Sequence, residues 1–215
     1  MNIAITGGLG TGKSTVSKIL AASLGAELID TDNLCRLQML PGKEGFARFL
    51  RVFGGKYIQT DGAIDRLQLR EAVFSDPDIK NTLEDILHPI VRSEVVAHCE
   101  KTVKQGRIVV VEVPLLFEAN WQQDFEHTVV VFVGEKLCIQ RVMARDGIDK
   151  DTISNIFSAQ LPIDIKRSLA DFVIDNSSIF ASTVQQIGWL AGQLTLPEKS
   201  QEFVNNKLKS LTAKI

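Results

Sequence analysis

Apolar residues in this chain form short runs that alternate with longer stretches of helical periodicity. Five runs are short and rich in β-branched or aromatic residues, at 2–6, 26–29, 107–113, 128–133 and 170–175. The two valine-dense runs show no alternation of polar and apolar positions, which is typical of strands covered on both faces of a parallel sheet. The intervening segments are long enough for helices, and residues 13–24 show helical spacing that ends at Gly25. The pattern predicts a doubly wound α/β fold with a five-stranded parallel sheet.

Two stretches between the predicted strands are too long to be simple crossovers. Residues 33–106 hold helix-like segments separated by glycine- and proline-containing turns, around 43–52, 64–74, 78–87 and 89–104. Residues 135–169 form a second helical block, with breaks at Gly147 and Pro162. We predict one domain over residues 1–215 in which 33–106 is a helical insertion placed where a substrate would bind. Residues 196–215 are polar and Lys-rich, and predict an exposed helix or a loosely ordered tail.

Composition and charge restrict the function classes. Hydrophobic residues make up 45% of the chain, charged residues 23%, and the net charge is −2. Such a balance gives no global signal for binding nucleic acid or an anionic membrane. No apolar stretch approaches the roughly 20 residues that cross a bilayer, and the N-terminus lacks a signal-peptide pattern. We therefore expect a cytoplasmic protein without a nucleic-acid or membrane partner.

The most specific chemical signal is the segment from Gly7 to Ser14, which fits the pattern G-x-x-x-x-G-K-S/T. Glycines in such a loop let successive backbone N–H groups point at one anion, and the following helix presents its positive dipole end to it. Lys13 adds a full charge for the β- and γ-phosphates, and the Ser14 hydroxyl is a ligand for Mg²⁺. The segment follows a predicted strand and opens a predicted helix, so we predict a phosphate-binding loop (P-loop) for a nucleotide.

Two carboxylates follow the second predicted strand, at Asp30 and Asp32. Ligands of open α/β sheets bind beyond the carboxyl ends of the strands, which places both residues near the terminal phosphate. One could accept the proton of an attacking hydroxyl while the other organises Mg²⁺ waters. Alternatively, either residue caps the helix predicted to start near Asn33.

Seven segments, in this order and spacing, resemble the dephospho-CoA kinase family: ITGGLGTGKST at 5–15, LIDTD at 28–32, DRLQLREAVF at 65–74, ILHPIV at 86–91, VEVPLLFE at 111–118, RVMARD at 141–146 and ADFVIDNS at 170–177. The likeness runs from Ile3 to about Asn176. It implies a three-layer α/β/α P-loop core with a helical CoA domain and, at about 135–169, a helical lid. The implied reaction is transfer of phosphate from ATP, with Mg²⁺, to the ribose 3′-hydroxyl of dephospho-CoA, and we expect a monomer or weak homo-oligomer.

The resemblance also assigns nucleotide-side roles to individual residues. Asp32 matches the family's general base, and Lys13 and Arg141 complete the expected catalytic set. Arg141 lies in the lid-like block as a phosphate contact, whereas Arg145 either joins it or pairs with Asp146. Asn176 either faces the adenine or caps a helix that begins near Ser178. The expected ATP-binding residues are Gly8, Gly10, Thr11, Gly12, Lys13, Ser14, Thr15, Arg141 and Asn176.

The expected substrate contacts are Thr6, Asp32, Arg66, Arg70, His88, Leu116 and Glu118. Arg66 and Arg70 lie on one face of a predicted helix and either meet the acceptor's phosphates or are ordinary exposed charges. His88 has a role in the substrate domain or is a helix cap or core hydrogen-bonding group. Leu116 is expected to pack while its backbone borders the acceptor, and Glu118 borders the acceptor or is a surface charge.

Two other functions are compatible with a nucleotide loop. One is a related kinase for a nucleoside monophosphate or a sugar-like acid, against which the large insertion argues. The other is a nucleotide-binding regulatory module that has lost catalysis, against which the presence of Lys13, Asp32 and Arg141 argues.

Overall fold

The computed structural model describes residues 1–196, and five strands of this part of the chain form one parallel sheet. The strands are β1 Asn2–Gly7, β2 Glu27–Asp30, β3 Val109–Glu112, β4 His127–Phe132 and β5 Phe172–Asp175. Their order is β2-β3-β1-β4-β5, and every neighbouring pair is parallel. The predicted sheet is thereby confirmed. The tail predicted at 196–215 lies outside the described residues except for Leu196.

The helices of the described residues are α1 Lys13–Leu24, α2 Thr31–Gln38, α3 Glu44–Phe53, α4 Arg66–Ser75, α5 Pro77–Lys104, α6 Glu135–Asp146, α7 Lys150–Ser158, α8 Ile163–Leu169 and α9 Phe180–Thr195. A short 3₁₀ turn at Gln122–Asp124 precedes β4. None of these helices combines the length and the apolar character that a membrane crossing requires.

Helices cover both faces of the sheet because successive residues of each strand point to opposite sides. Ile3 and Ile5 of β1 face one cluster, which α1 and α9 complete through Val16, Leu20, Ile187 and Leu190. Ala4 faces the other cluster, which contains Val91 and Val95 of α5 together with Leu116 and Trp121. The chain therefore has the three-layer α/β/α arrangement.

Residues between β2 and β3 form α2 to α5 and have a core of their own. This third cluster is largely aromatic and contains Phe46, Phe49, Tyr57, Ile64 and Leu69. The predicted break between helices 78–87 and 89–104 is wrong, because α5 runs from Pro77 to Lys104 through Pro89. Asp76 caps its first turn, and buried positions continue on both sides of the proline, so packing outweighs the one hydrogen bond that Pro89 removes.

The helical block after β4 follows the predicted punctuation. Gly147 ends α6 in a left-handed conformation, with φ 68°, and Pro162 immediately precedes α8. The free thiols of Cys99 and Cys138 are buried, and that of Cys35 is half-buried.

Candidate active site

The loop from Gly7 to Gly12 joins β1 to α1 at the carboxyl edge of the sheet. Gly12 has φ 86° and precedes α1, whose first turn has no side-chain cap. A Cβ atom on Gly12 would lie 2.5 Å from the Asn176 amide nitrogen, and one on Gly10 would lie 2.7 Å from Val142 of α6. Only glycine fits these two positions. The unpaired N–H groups at the start of α1 remain available to an anion.

Lys13 lies folded against the loop. Its Nζ atom donates a hydrogen bond to the Gly8 carbonyl oxygen at 2.9 Å. Loss of surrounding water lowers the pKa of Lys13, and the charge of Lys166 also lowers it, while the carboxylates of Glu112 and Asp32 raise it. A phosphate in the loop would restore a strong anionic partner to this poorly hydrated ammonium group.

Glu112 is a site residue that the sequence analysis missed. It ends β3, is buried, and its Oε1 atom accepts a hydrogen bond from the Ser14 hydroxyl at 2.8 Å. Burial raises the pKa of Glu112, while the Ser14 hydrogen bond and the charge of Lys13 oppose that shift. The signal was present in the sequence, because a carboxylate that ends a run of three valines lies at the same sheet edge as Asp30.

Asp30 and Asp32 have different surroundings. Of the two, only Asp30 acts as the helix cap that was one alternative for either residue. The Asp30 carboxylate accepts a hydrogen bond from Asn33 N at 3.1 Å and caps α2. Asp32 lies in the first turn of that helix and keeps contact with solvent. Loss of water around it raises its pKa, and the neighbouring Asp30 charge adds to this effect, whereas Lys13 and Arg36 lower the pKa.

Arg141 and Asn176 lie next to the loop, as expected. An Nη2 hydrogen of Arg141 is donated to the Asn176 carbonyl oxygen at 3.0 Å, and the Asn176 amide donates to the Thr11 carbonyl oxygen at 2.8 Å. Asn176 does not cap the following helix, because α9 begins at Phe180 without a side-chain cap. Arg145 makes two hydrogen bonds to Asp146, at 2.8 and 2.7 Å, so the alternative of a surface ion pair is confirmed for it.

Two residues expected to contact the substrate, Thr6 and Leu116, have fully buried side chains. The expectation that Leu116 packs is confirmed, and the substrate contacts of both residues stay predictions. Thr6 is fully buried, and its hydroxyl donates to the Pro114 carbonyl oxygen at 3.1 Å. Leu116 is also fully buried in the second core cluster, and its carbonyl oxygen accepts from Trp121 N at 2.9 Å. Both side chains thus pack inside the protein, where they support the segment that follows β3.

Glu118 is engaged with the protein and is not a free surface charge. Its side chain is 17% exposed, and Oε1 lies 2.7 Å from Nζ of Lys166, whose own side chain is fully buried. The same oxygen accepts a hydrogen bond from Leu161 N at 2.9 Å. The pair joins the segment after β3 to the start of α8.

The remaining expected substrate contacts lie on the helices between β2 and β3. Arg66 and Arg70 are exposed on α4, and the Arg70 guanidinium lies 5.6 Å from the centroid of the Phe74 ring. His88 is half-buried on α5 and meets Trp121 edge-on, with ring centroids 5.9 Å apart. Within the described part of the chain, none of the three is hydrogen-bonded to the P-loop.

A cleft separates the P-loop from the helices after β4. It has a volume of about 320 Å³ and is lined on one side by Gly8 and Leu9, and on the other by residues that include Cys138, Phe157 and Leu161. The P-loop tip thus lies under α6 and α7, where a phosphate chain would be covered.

Comparison with known proteins identifies the family. A family model described as dephospho-CoA kinase matches residues 1–182 of the chain. The chain belongs to the dephospho-CoA kinase family. The dephospho-CoA kinase of Desulfotalea psychrophila is 38% identical over 187 residues, which cover 87% of this chain and 94% of that protein. That of Enterococcus faecalis is 33% identical over 193 residues, with 89% and 96% covered.

A solved dephospho-CoA kinase from Campylobacter jejuni shares the fold. Its TM-score is 0.65 at 27% sequence identity, with 90% of this chain and 96% of that chain covered. The family match includes the P-loop, the helices between β2 and β3, and the block from α6 to α8. The resemblance seen in the sequence is therefore confirmed at the level of the family.

Proposed function

We propose that this chain phosphorylates the ribose 3′-hydroxyl of dephospho-CoA with ATP, giving CoA and ADP, the last step of coenzyme A synthesis. One observation carries the proposal: in this member of the dephospho-CoA kinase family, Lys13 and Ser14 of the P-loop lie at the same edge of the sheet as Asp32 and Glu112, and Ser14 is hydrogen-bonded to Glu112. That edge brings a phosphate cradle and a hydroxyl acceptor group together, as phosphoryl transfer requires.

The residues present fit a magnesium ion bound with ATP. Because the Ser14 hydroxyl donates its proton to Glu112, its oxygen lone pairs are free for a cation. Mg²⁺ usually binds one or two protein groups together with phosphates and water, so one hydroxyl ligand from the protein is sufficient. When bound, Mg²⁺ would neutralise charge on the β- and γ-phosphate oxygens. Ser14 would hold it, with Glu112 orienting Ser14.

Asp32 would orient the attacking hydroxyl and receive its proton. A raised pKa makes its carboxylate a somewhat better base, and the charge of Lys13 opposes that rise in pKa. Phosphoryl transfer has a loose transition state, so placing the hydroxyl in line contributes more than abstracting its proton.

Arg141 would cover the phosphates from α6, which we assign to the lid. A guanidinium group has five N–H donors, and the structure commits one of its nitrogens to the Asn176 carbonyl. The remaining donors are available to phosphate oxygens, where a fixed positive charge stabilises the transition state.

The exposed arginines of α4 would meet the acceptor. Arg66 and Arg70 present cationic groups on the helices that we assign to the CoA domain, and dephospho-CoA carries a diphosphate. His88 would border the same site from α5. Glu118 would act indirectly, since its carboxylate is held by Lys166 and Leu161. A cytoplasmic location and a monomeric or weakly associating state stay predictions.

The proposal is tested by incubating the protein with ATP, Mg²⁺ and dephospho-CoA and detecting CoA by mass. Parallel incubations with AMP and with shikimate, read out as ADP, test the alternative acceptors. We expect CoA formation to exceed ADP release with the other acceptors by orders of magnitude. Faster turnover of AMP or shikimate would contradict the proposal, and turnover of none would favour the non-catalytic alternative.

A further inference from the structure

Asn176 follows β5 and links four parts of the molecule. Its backbone N–H donates to the Phe132 carbonyl oxygen at the end of β4 at 2.8 Å. Its carbonyl accepts from Arg141, and its side-chain Nδ2 donates to the Thr11 carbonyl oxygen at 2.8 Å. Its side-chain Oδ1 accepts from the Thr183 hydroxyl at 2.8 Å. Both ends of the amide are thus engaged, one by the P-loop and the other by α9.

The Thr11 carbonyl determines which way this amide points, and the Thr183 hydroxyl anchors the amide in that orientation. An amide oxygen only accepts hydrogen bonds and an amide nitrogen only donates them. With Oδ1 held by Thr183, Nδ2 faces the P-loop, where it donates to Thr11 and lies against Gly12. If the amide rotated by half a turn, Oδ1 would face the Thr11 carbonyl, and two acceptors would meet.

The Thr11 carbonyl matters because of the peptide to which it belongs. That carbonyl and the Gly12 N–H are parts of one planar unit, so fixing the direction of the first fixes the direction of the second. The Gly12 N–H is one of the backbone donors with which a P-loop surrounds phosphate. A hydrogen bond at Thr11 therefore holds a phosphate donor in place without touching the phosphate.

Helix α9 is well placed to supply this restraint. Thr183 is 1% exposed, and three residues later Gln186 binds the backbone on both sides of Asp175. Gln186 Oε1 accepts from Asp175 N at 2.9 Å, and its Nε2 donates to the Asp175 carbonyl oxygen at 2.8 Å. One face of α9 therefore fixes Asp175, which ends β5, and Asn176, which follows it and reaches the P-loop. The matched family segment ends at residue 182, immediately before Thr183.

We propose that Thr183 is a positioning residue for the nucleotide. Its hydroxyl anchors the Asn176 amide, the amide holds the Thr11–Gly12 peptide, and that peptide presents an N–H group to the phosphates of ATP. The inference rests on the nucleotide site proposed above but not on the identity of the acceptor. Its effect falls on the affinity for ATP, because neither Thr183 nor the Asn176 amide needs to touch the reacting atoms.

The test replaces Thr183 with valine, which has the same shape without the hydroxyl, and measures ATP binding by calorimetry in the absence of acceptor. Loss of one neutral hydrogen bond to a buried group corresponds to roughly a three- to tenfold change in an equilibrium constant. We expect Thr183→Val to raise the Kd of Mg-ATP by about that factor. Thr183→Ser keeps the hydroxyl and should bind ATP with nearly the parent affinity.

Thr128→Val is the matched control for a loss of stability alone. Thr128 is a buried residue of β4, and its hydroxyl donates to Asp171 Oδ2 at 2.8 Å near the amino ends of β4 and β5, at the opposite edge of the sheet. We expect this variant to melt at a lower temperature while its Kd for Mg-ATP stays within twofold of the parent. Direct binding makes the result independent of whether dephospho-CoA is the acceptor.

Three outcomes would each overturn the proposal. The first is a Kd of Thr183→Val within twofold of the parent. The second is a Thr183→Ser variant that binds ATP as weakly as Thr183→Val, since the hydroxyl would then not be responsible. The third is an equal loss of affinity in Thr128→Val, which would assign the effect to general destabilisation.

Discussion

The two sides of the active site are built differently. On the nucleotide side, the loop, α6 and α9 are tied together by hydrogen bonds of 2.8 to 3.0 Å, and glycines let the backbone approach side chains closely. On the side that we propose for the acceptor, α4 presents exposed arginines together with Leu67 and Phe74, which are 69% and 61% exposed. The nucleotide side is thus assembled by the chain's own bonds, whereas the acceptor side presents groups that remain for a ligand to cover.

This difference predicts how variants on the two sides will behave. On the nucleotide side, the folded protein already holds the binding groups in position. A substitution there removes that order, so its effect on turnover or affinity is large. Where groups are exposed and separate, each contributes little alone, as exposed charges generally do. The following variants test that contrast, from the largest expected effect to the smallest.

Replacing Lys13 with methionine should abolish most of the activity. The ammonium group stabilises charge on the transferred phosphate, so we expect turnover to fall by about 10²- to 10³-fold or more. Loss of surrounding water already disfavours the charged lysine in the folded protein, so the melting temperature should not fall. Steady-state kinetics and a thermal melt check both. An active Lys13→Met variant would contradict the assignment of the P-loop.

The ion pair between Lys166 and Glu118 should respond differently to the loss of one partner and to the loss of both. Lys166→Met leaves the Glu118 carboxylate without its cation, and removing one partner of a buried pair costs about 3–5 kcal/mol. Chemical denaturation measures this free energy of unfolding. The double variant Glu118→Gln/Lys166→Met should lose less than the sum of the two single variants, and strict additivity would show that the pair does not act as a unit.

Asp32→Asn should separate chemistry from nucleotide binding. We expect turnover to fall by about 10²-fold while the Kd of Mg-ATP changes less than twofold. Asp30→Asn is the matched control, because asparagine also caps a helix, and it should retain activity. Equal losses in the two variants would remove Asp32 from its proposed role.

The dependence of the rate on pH provides a second measurement on the same residue. In the proposed reaction the active form of Asp32 is the carboxylate, and its pKa is raised above the ordinary value near 3.8, first by loss of water and then by Asp30. Activity should therefore decline as pH falls towards that raised pKa. If this acidic limb persists unchanged in the residual activity of Asp32→Asn, another group is responsible for it.

Arg70→Ala should have the smallest effect. We expect a rise of about three- to tenfold in the KM for dephospho-CoA, with the KM for ATP unchanged, because one charge contact to a phosphate is lost. Arg51, an exposed cation of α3, provides the control substitution. An unaltered KM for dephospho-CoA would favour the alternative that Arg70 is an ordinary surface charge.

Sequence reasoning succeeded where function depends on neighbouring residues. The P-loop could be predicted because its glycines, lysine and serine are contiguous, and strand runs dense in valine indicated the sheet. Asn176 was placed near the nucleotide, but its partner Thr11 is 165 residues away and its partner Thr183 gives no signal in a motif. Hydrogen bonds between distant segments depend on packing, which sequence periodicity does not specify.

The directions of some side chains and one helix boundary could not be predicted from the sequence, for the same physical reason. Thr6 and Leu116 belong to segments that border the site, but the direction of a side chain at a strand end or in a turn depends on tertiary packing, and both point into the core. Proline usually interrupts a helix, so Pro89 suggested a helix boundary. The buried residues on either side of it nevertheless stabilise a continuous helix. Glu112 was missed, although it also lies at the carboxyl end of a strand, where ligands of open α/β sheets bind, as do Asp30 and Asp32.

The unbroken course of α5 has a mechanical consequence. The helix has 28 residues and is therefore about 42 Å long, with Ile79 beside the aromatic core between β2 and β3 and Val95 beneath the sheet. Helix α5 thus packs against both the aromatic cluster between β2 and β3 and the core beside the sheet. Movement of the helices between β2 and β3 relative to the sheet therefore requires α5 to bend. Helix α5 is weakest at Pro89, because this proline leaves the carbonyl oxygen of the exposed residue Asp85 without its helical N–H donor. The contact between His88 and Trp121 lies next to Pro89 and would change if the helix bent there.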